Sequence, residues 1–322
     1  MGHLAGWRKT WRSQSPDPKA VATPAEQRRL FEVNNAAARF YRRELLRDKT
    51  GWGRDFLRKG GAAELLESES KWTVGYAPAS RSRLVDHLRS QGFQLQTIRN
   101  AGLGVVLADD RLIDRFRHQL MLPARNHRLG IVGFTGVREG ESGPYYSKSP
   151  DTQIHRRSGS LVGIAEQRDL LSDGASPVLV DNPLDAFAIE RISRLAGGRW
   201  AGIPLCDAML SLEQARMLGV HTVTDTVIVL ITNPGKTRET AAEYLNDLTA
   251  TFRRVQAAEL PRGHTAASLW QAADGHQRLH DNLLVTRPLT DYLPSRRSRR
   301  PRTQALHPDP PDLGEHPTVD LP

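Results

Sequence analysis

Apolar residues recur at helical spacing from the first ordered-looking stretch of the chain. Leu30, Phe31, Val33, Ala37, Phe40, Tyr41 and Leu45 share one face. Thr23-Pro24-Ala25-Glu26 reads as the start of that helix, with threonine as N-cap, proline at the first position and an acid in the first turn. Arg28, Arg29, Arg39, Arg42, Arg43 and Arg47 fall on the opposite, solvated face. Shorter helices are predicted over 55–59, 81–91 and 95–101, each closed by glycine or a turn. From about 105 to 164 the pattern shifts to strands, at 105–107, 120–123 and 129–134. From 176 to 260 short apolar strands alternate with amphipathic helices. The strands are 178–181, 199–203 and 226–231; the helices are 184–195, 211–218 and a long one over 237–254. Such alternation implies a parallel sheet. Residues 266–285 return to helix.

Composition adds a partner class. The 322 residues carry 45 Lys and Arg against 36 Asp and Glu, a formal charge of +9. A surface this basic points to a polyanion, nucleic acid or anionic lipid. Residues 1–49 hold eleven basic against five acidic side chains. Arg296, Arg297, Arg299, Arg300 and Arg302 form a second run, followed by a proline-rich acidic tail. Both ends, 1–23 and 294–322, have too little apolar content to offset chain entropy and are expected to be disordered. The lone Cys206 excludes a disulfide framework and zinc sites built on paired cysteines. No apolar run reaches the roughly 18 residues of a membrane span and no signal-peptide core is visible, so the reading is cytoplasmic, without a membrane partner.

Several separate motifs then carry a resemblance. The run DRFRHQLMLPAR (114–125) is followed by GIVGF (130–134), GPYYSKSPDT (143–152), Ile154-His155-Arg156 and LVGI (161–164). In this order they resemble the core of bacterial replicative primases, the DnaG family, whose members carry PKYLNSPET, FHK and LYGL there. NAAARFYR (35–42) and VGYAPA (74–79) resemble that family upstream. PVLVDNPLDA (177–186) resembles the VLVEGxLDA opening of its Toprim module. The resemblance runs from about 28 to 262 and is expected to stop at the core, without the zinc-binding or helicase-binding domains.

It implies an α+β subdomain, helical and β-rich, over 24–168, and a Toprim-like parallel α/β sheet over 169–262. A helical C-terminal segment is expected over 263–293. The activity implied is nucleotidyl transfer on a DNA template with divalent metal, where clustered carboxylates hold magnesium. The sequence departs at those places. Asp181 stands at the family's glutamate, Asn182 replaces the adjacent glycine, and the strand that should end in an Asp-x-Asp pair ends in Thr232, Asn233, Pro234 and Gly235. Asp181 and Asp185 remain as catalytic and metal-ligating residues, a pair expected to hold magnesium weakly and no zinc. They read equally as N-cap and first-turn acids complementing a helix dipole. Asp207 and Asp225 are weaker substitutes.

The nucleic-acid contacts implied are Arg115, Arg117, Lys148, His155 and Arg156, with Tyr145 and Val137 at positions basic in the family. Gly235-Lys236-Thr237 lacks the first glycine of a P-loop, although Lys236 at a helix start could meet a phosphate. His276 and His280, four apart, read as solvent-facing. Trp7 and Trp11 among basic residues read as base-stacking candidates. Three functions follow: a DNA primase-like protein that binds single-stranded DNA or RNA with impaired catalysis; an active divergent primase; and a module that docks a replicative helicase.

Overall fold

The computed structural model describes residues 22–47, 50–140, 143–206, 210–232 and 244–293. Helix α1 (Pro24–Arg47) opens with a capping box. The Thr23 hydroxyl accepts the Glu26 N–H at 3.2 Å, and the Glu26 carboxylate accepts the Thr23 N–H at 2.8 Å. Leu30, Val33, Ala37, Phe40, Tyr41 and Leu45 are buried as their spacing predicts. Arg42 departs from the solvated face assigned to it. It is half-buried and donates to the carbonyls of Leu65 at 2.6 Å and Val74 at 3.2 Å, and to that of Glu67. The helix is thereby fastened to the loop that follows α2 (Trp52–Lys59).

Next come β1 (Gly75–Ala77), α3 (Arg83–Ser90), α4 (Leu95–Asn100), β2 (Gly104–Val106) and β3 (Leu112–Asp114). Strands β4 (Gln119–Arg125), β5 (Ile131–Gly140) and β6 (Gly143–Lys148) follow, with the short β7 (Leu161–Val162). The first sheet is antiparallel in the order β1-β4-β5-β6, and β7 pairs with β4. Alternate residues of β4 and β5 serve different cores, as a strand's twofold period requires. Met121 and Phe134 pack on α1, α3 and α4 with Tyr41, Leu84 and Ile98. Leu120, Leu122 and Val137 point the other way, into a core shared with Trp72, Phe187 and Ile189. At Gly75 a side chain would bring its first carbon to 2.4 Å from that of Tyr41, so β1 reaches α1 only as glycine.

After α5 (Arg168–Ser172) come β8 (Ser176–Val180), α6 (Pro183–Leu195), β9 (Trp200–Pro204), α7 (Leu212–Val220) and β10 (Thr226–Ile231). Strand β11 (Arg254–Glu259), helices α8 (Ala266–Gln271) and α9 (Gly275–Leu284) and strand β12 (Thr286–Pro288) complete the order. The second sheet runs β12-β11-β10-β8-β9, parallel except for the edge strand β12. Both faces are covered, so its inner strands β8 and β10 are almost continuously apolar. Val178, Val180, Ile228 and Leu230 face Ile189, Leu269 and Leu279, while Leu179, Ile203, Val229 and Ile231 face Leu171, Met217 and Leu248.

Two expectations are corrected here. Residues 244–249 are helical, but the chain then turns, and 254–259 form a strand beside β10 rather than the end of a long helix. The segment expected to be helical after 263 holds two helices and also contributes β12. Residues 1–21, 207–209, 233–243 and 294–322 lie outside the described residues. With them go the expectations for Trp7, Trp11, Asp207, Asn233, Gly235, Lys236 and the arginine run. Among the described residues no helix is long and apolar enough to cross a membrane.

Candidate nucleic-acid interface and carboxylate pair

Arg115 and Arg117, both half-buried, flank the buried Phe116. Arg115 Nε donates to the Gly102 carbonyl at 2.8 Å, and the turn at Gly102 rests against Pro150. Burial, then the charge of Arg157, holds the Arg115 guanidinium below its usual proton affinity. Arg117 acts on Asp114, whose carboxylate accepts the N–H groups of Leu84 and Val85 at 2.9 Å each and so caps α3. Burial pushes the Asp114 carboxyl up to about 6.

The segment 149–160 is built on short polar bonds. Ser149 exchanges two 2.9 Å bonds with the Phe134 backbone, its hydroxyl accepting and its N–H donating. Thr152 Oγ1 accepts the N–H of His155 at 3.0 Å. His155 is 2% exposed. Its Nδ1 lies 2.8 Å from the Pro150 carbonyl, which can only accept, so Nδ1 carries the proton and Nε2 accepts from Ser160 Oγ at 3.1 Å. Desolvation lowers its pKa, keeping the ring neutral. The expectation that His155 contacts nucleic acid is therefore corrected: it is a core histidine that shapes this loop.

The loop it shapes presents two arginines. Arg156 Nη1 donates to the Thr152 carbonyl at 3.2 Å, and Arg157 Nε to the Ser149 carbonyl at 3.3 Å. Both side chains remain exposed. Lys148 ends β6 opposite Thr135 and is half-buried. Arg115, Arg156 and Arg157 thus come together round one loop, and partly anchored guanidiniums are suited to phosphate oxygens. The sequence reading missed Arg157, although the Arg156-Arg157 pair was the available signal.

The two carboxylates offered as a metal pair occupy unlike places. Asp181 follows β8 and is exposed, and its carbonyl accepts the Cys206 N–H at 3.0 Å. Asp185 lies in the first turn of α6 and is 1% exposed. Asn182 is the N-cap, accepting the Asp185 N–H at 3.0 Å while its amide donates to Asp185 Oδ2 at 2.5 Å. Asp185 Oδ1 accepts the Ala267 N–H at 2.8 Å. Burial raises the Asp185 carboxyl to about 6 against these bonds, and the Asp181 charge adds to the rise. Magnesium needs carboxylate oxygens in nearly ideal octahedral array with retained waters. A buried carboxylate whose two oxygens already serve two helix starts does not fit, so the capping reading of Asp185 replaces the ligand one. No three His, Cys, Asp or Glu side chains group as a metal site among the described residues. His276 stacks on Trp270 at 3.8 Å and His280 meets Trp200 edge-on at 5.7 Å, so both histidines pack on tryptophans.

The architecture matches known proteins. Residues 40–168 match the family described as DNA primase catalytic core, N-terminal domain. The RNA polymerase domain of Mycobacterium tuberculosis primase DnaG superposes with a TM-score of 0.70 at 24% identity, over 83% of this chain and 86% of that one. The fold is that of a DnaG-type primase core. A DnaG primase catalytic domain bound to ssDNA aligns at a TM-score of 0.64 and 21% identity, over 84% and 85% of the two chains. In sequence the primase core is similar to the DNA primase of Geobacillus stearothermophilus, 30% identical over 239 residues, and to that of Deinococcus radiodurans, 27% over 248. These alignments cover 74% and 77% of this chain but 38% and 41% of the two primases.

Proposed function

We propose that this primase core binds single-stranded nucleic acid in DNA replication through the 115–157 loop cluster, with primer synthesis impaired by a depleted metal centre. The observation that carries the binding half is the grouping of Arg115, Arg156 and Arg157 round a buried, neutral His155. A fixed set of guanidiniums neutralises phosphates without reading bases, so binding is salt-sensitive and weakly sequence-selective. One neighbour of this fold is described as bound to ssDNA, which supports the same ligand here. The catalytic half rests on Asp185, whose carboxylate serves two helix starts, and on the loss of acidic residues after β10. The division into an N-terminal subdomain over 24–168 and a Toprim-like domain over 169–262 belongs to the same reading.

The test is a paired assay on a single-stranded template. Binding is followed by gel shift with and without magnesium, and primer synthesis is followed with ribonucleotides and magnesium. The reading expects binding that needs no metal and little or no extension. Efficient, metal-dependent extension would favour the active-primase alternative.

A further inference from the structure

A second array of positive charge lies on α1, an element that carries none of Arg115, Arg156 and Arg157. Arg39, Arg42, Arg43 and Arg47 line a groove of about 680 Å³ whose opposite wall carries Arg125. Positions 39, 43 and 47 follow one stripe of the helix, about 6 Å apart at ~1.5 Å rise per residue.

The five arginines are unequally committed. Arg42 is fastened to the carbonyls of Leu65 and Val74, and Arg125 donates to the Leu129 carbonyl at 3.0 Å and pairs with Glu166 at 3.2 Å. These two build the walls. Arg43 meets His87 Nε2 at 3.0 Å, an imidazole whose proton affinity is lowered by burial and then by Arg43 itself. Arg47 has a 3.6 Å ion pair with Glu44, and Arg39 makes no hydrogen bond or ion pair among the described residues. No carboxylate lines the groove among the described residues. The helix beneath is fixed by buried Phe40, Tyr41 and Leu45.

We propose that this groove is a second strand-binding site, one that takes the phosphodiester backbone of nucleic acid. A line of guanidiniums with no carboxylate among the lining residues matches a polymer carrying one charge per nucleotide, and each free guanidinium fork can grip a phosphate through two bonds. The remaining lining is Asn35, Ala38, Leu46, Thr73 and Ile131, with no aromatic ring as a platform for bases, so contact is with the backbone. An acidic protein segment would want an aromatic-lined pocket for its anchor, and no aromatic side chain lines this groove among the described residues. The inference rests on the reading that the chain binds nucleic acid, and its test separates the two.

The experiment is fluorescence anisotropy of a labelled single-stranded 30-mer, titrated with the full chain at several salt concentrations. The Arg39→Gln/Arg47→Gln variant should flatten the log–log salt slope by about 1.4, at ~0.7 per phosphate contact, with an unchanged circular-dichroism melt. The Arg39→Lys/Arg47→Lys variant should keep the wild-type slope. An unchanged slope in the glutamine variant, while Arg156→Ala/Arg157→Ala still flattens it, would overturn the second site and leave the proposed function standing. Competition by polyglutamate that depends on Arg39 and Arg47, with the slope again unchanged, would overturn it in favour of an acidic protein partner. Absence of any binding by the wild-type chain would remove both.

Discussion

The backbone N–H of Ala267 donates to Oδ1 of Asp185 across 2.8 Å, joining the first turn of α8 to the first turn of α6. The other oxygen takes the Asn182 amide, so one buried carboxylate holds two helix starts from opposite sides. Replacing Asp185 by alanine strands the Ala267 N–H and loosens the N-cap, at a cost of roughly 1–3 kcal/mol. Urea unfolding of Asp185→Ala beside the wild type checks this; a loss below a few tenths would show that the bond contributes nothing.

The same carboxylate predicts a pH dependence. Its folded pKa is about 6, above the ordinary 3.8. Below 3.8 both states hold the proton, and the group is silent. Between there and 6 the unfolded chain has released its proton and the folded chain has not, so stability falls as pH rises; above 6 the loss is complete. Asp185→Asn, which has no charge to desolvate, should lessen the fall between pH 4.5 and 7 by about 2 kcal/mol. An identical pH profile in the variant would refute the assignment.

Asp114 supplies an independent case at α3. Its carboxylate caps Leu84 and Val85 and is also raised to about 6 by burial. Asp114→Ala should cost roughly 1–3 kcal/mol and accelerate amide exchange in residues 83–86 ahead of the rest of the chain. Uniform exchange rates in the variant would argue against a local cap.

Glu190 of α6 gathers three donors. It accepts from Trp72 Nε1, from Gln167 Nε2 at 2.8 Å and from Arg194 Nε at 2.9 Å. Trp72 belongs to the loop before β1, so this buried acid ties α6 to the N-terminal half. Glu190→Ala should cost roughly 1–3 kcal/mol for each stranded buried donor. Arg194→Ala, which removes a half-exposed side chain, should cost less than about 1 kcal/mol. Thermal melts of the two variants compare them directly, and equal effects would contradict the bridge.

Much of this architecture was legible beforehand where one signal dominated. The Thr23 box and the spacing of Leu30 to Leu45 define α1, and the apolar runs of β8 and β10 declare a sheet covered on both faces. Strand β11 was hidden because Arg-Val-Gln-Ala-Ala-Glu has polar ends and two alanines, a composition helix also tolerates, and the pairing with β10 decides it. Arg42 looked solvated because periodicity locates a face but cannot see the carbonyls of Leu65 and Val74 that another loop brings to it. The same blindness affected the site. His155 and Asp185 carry the right chemistry for a phosphate or a metal, and only their burial and partners, supplied by distant residues such as Ser160 and Ala267, assign them to structure instead.

The central claim is metal-independent binding of a single strand by the loop that His155 shapes. Anisotropy of a labelled single-stranded oligonucleotide, measured against salt in EDTA and again in magnesium, tests it most directly. Four phosphates contacted would give a log–log slope near −3, at about −0.7 per single-strand contact. That slope is expected in both buffers, and a slope flatter by about 1.4 in Arg156→Ala/Arg157→Ala. Binding that appears only with magnesium, or that is unaffected by the double substitution, would contradict it.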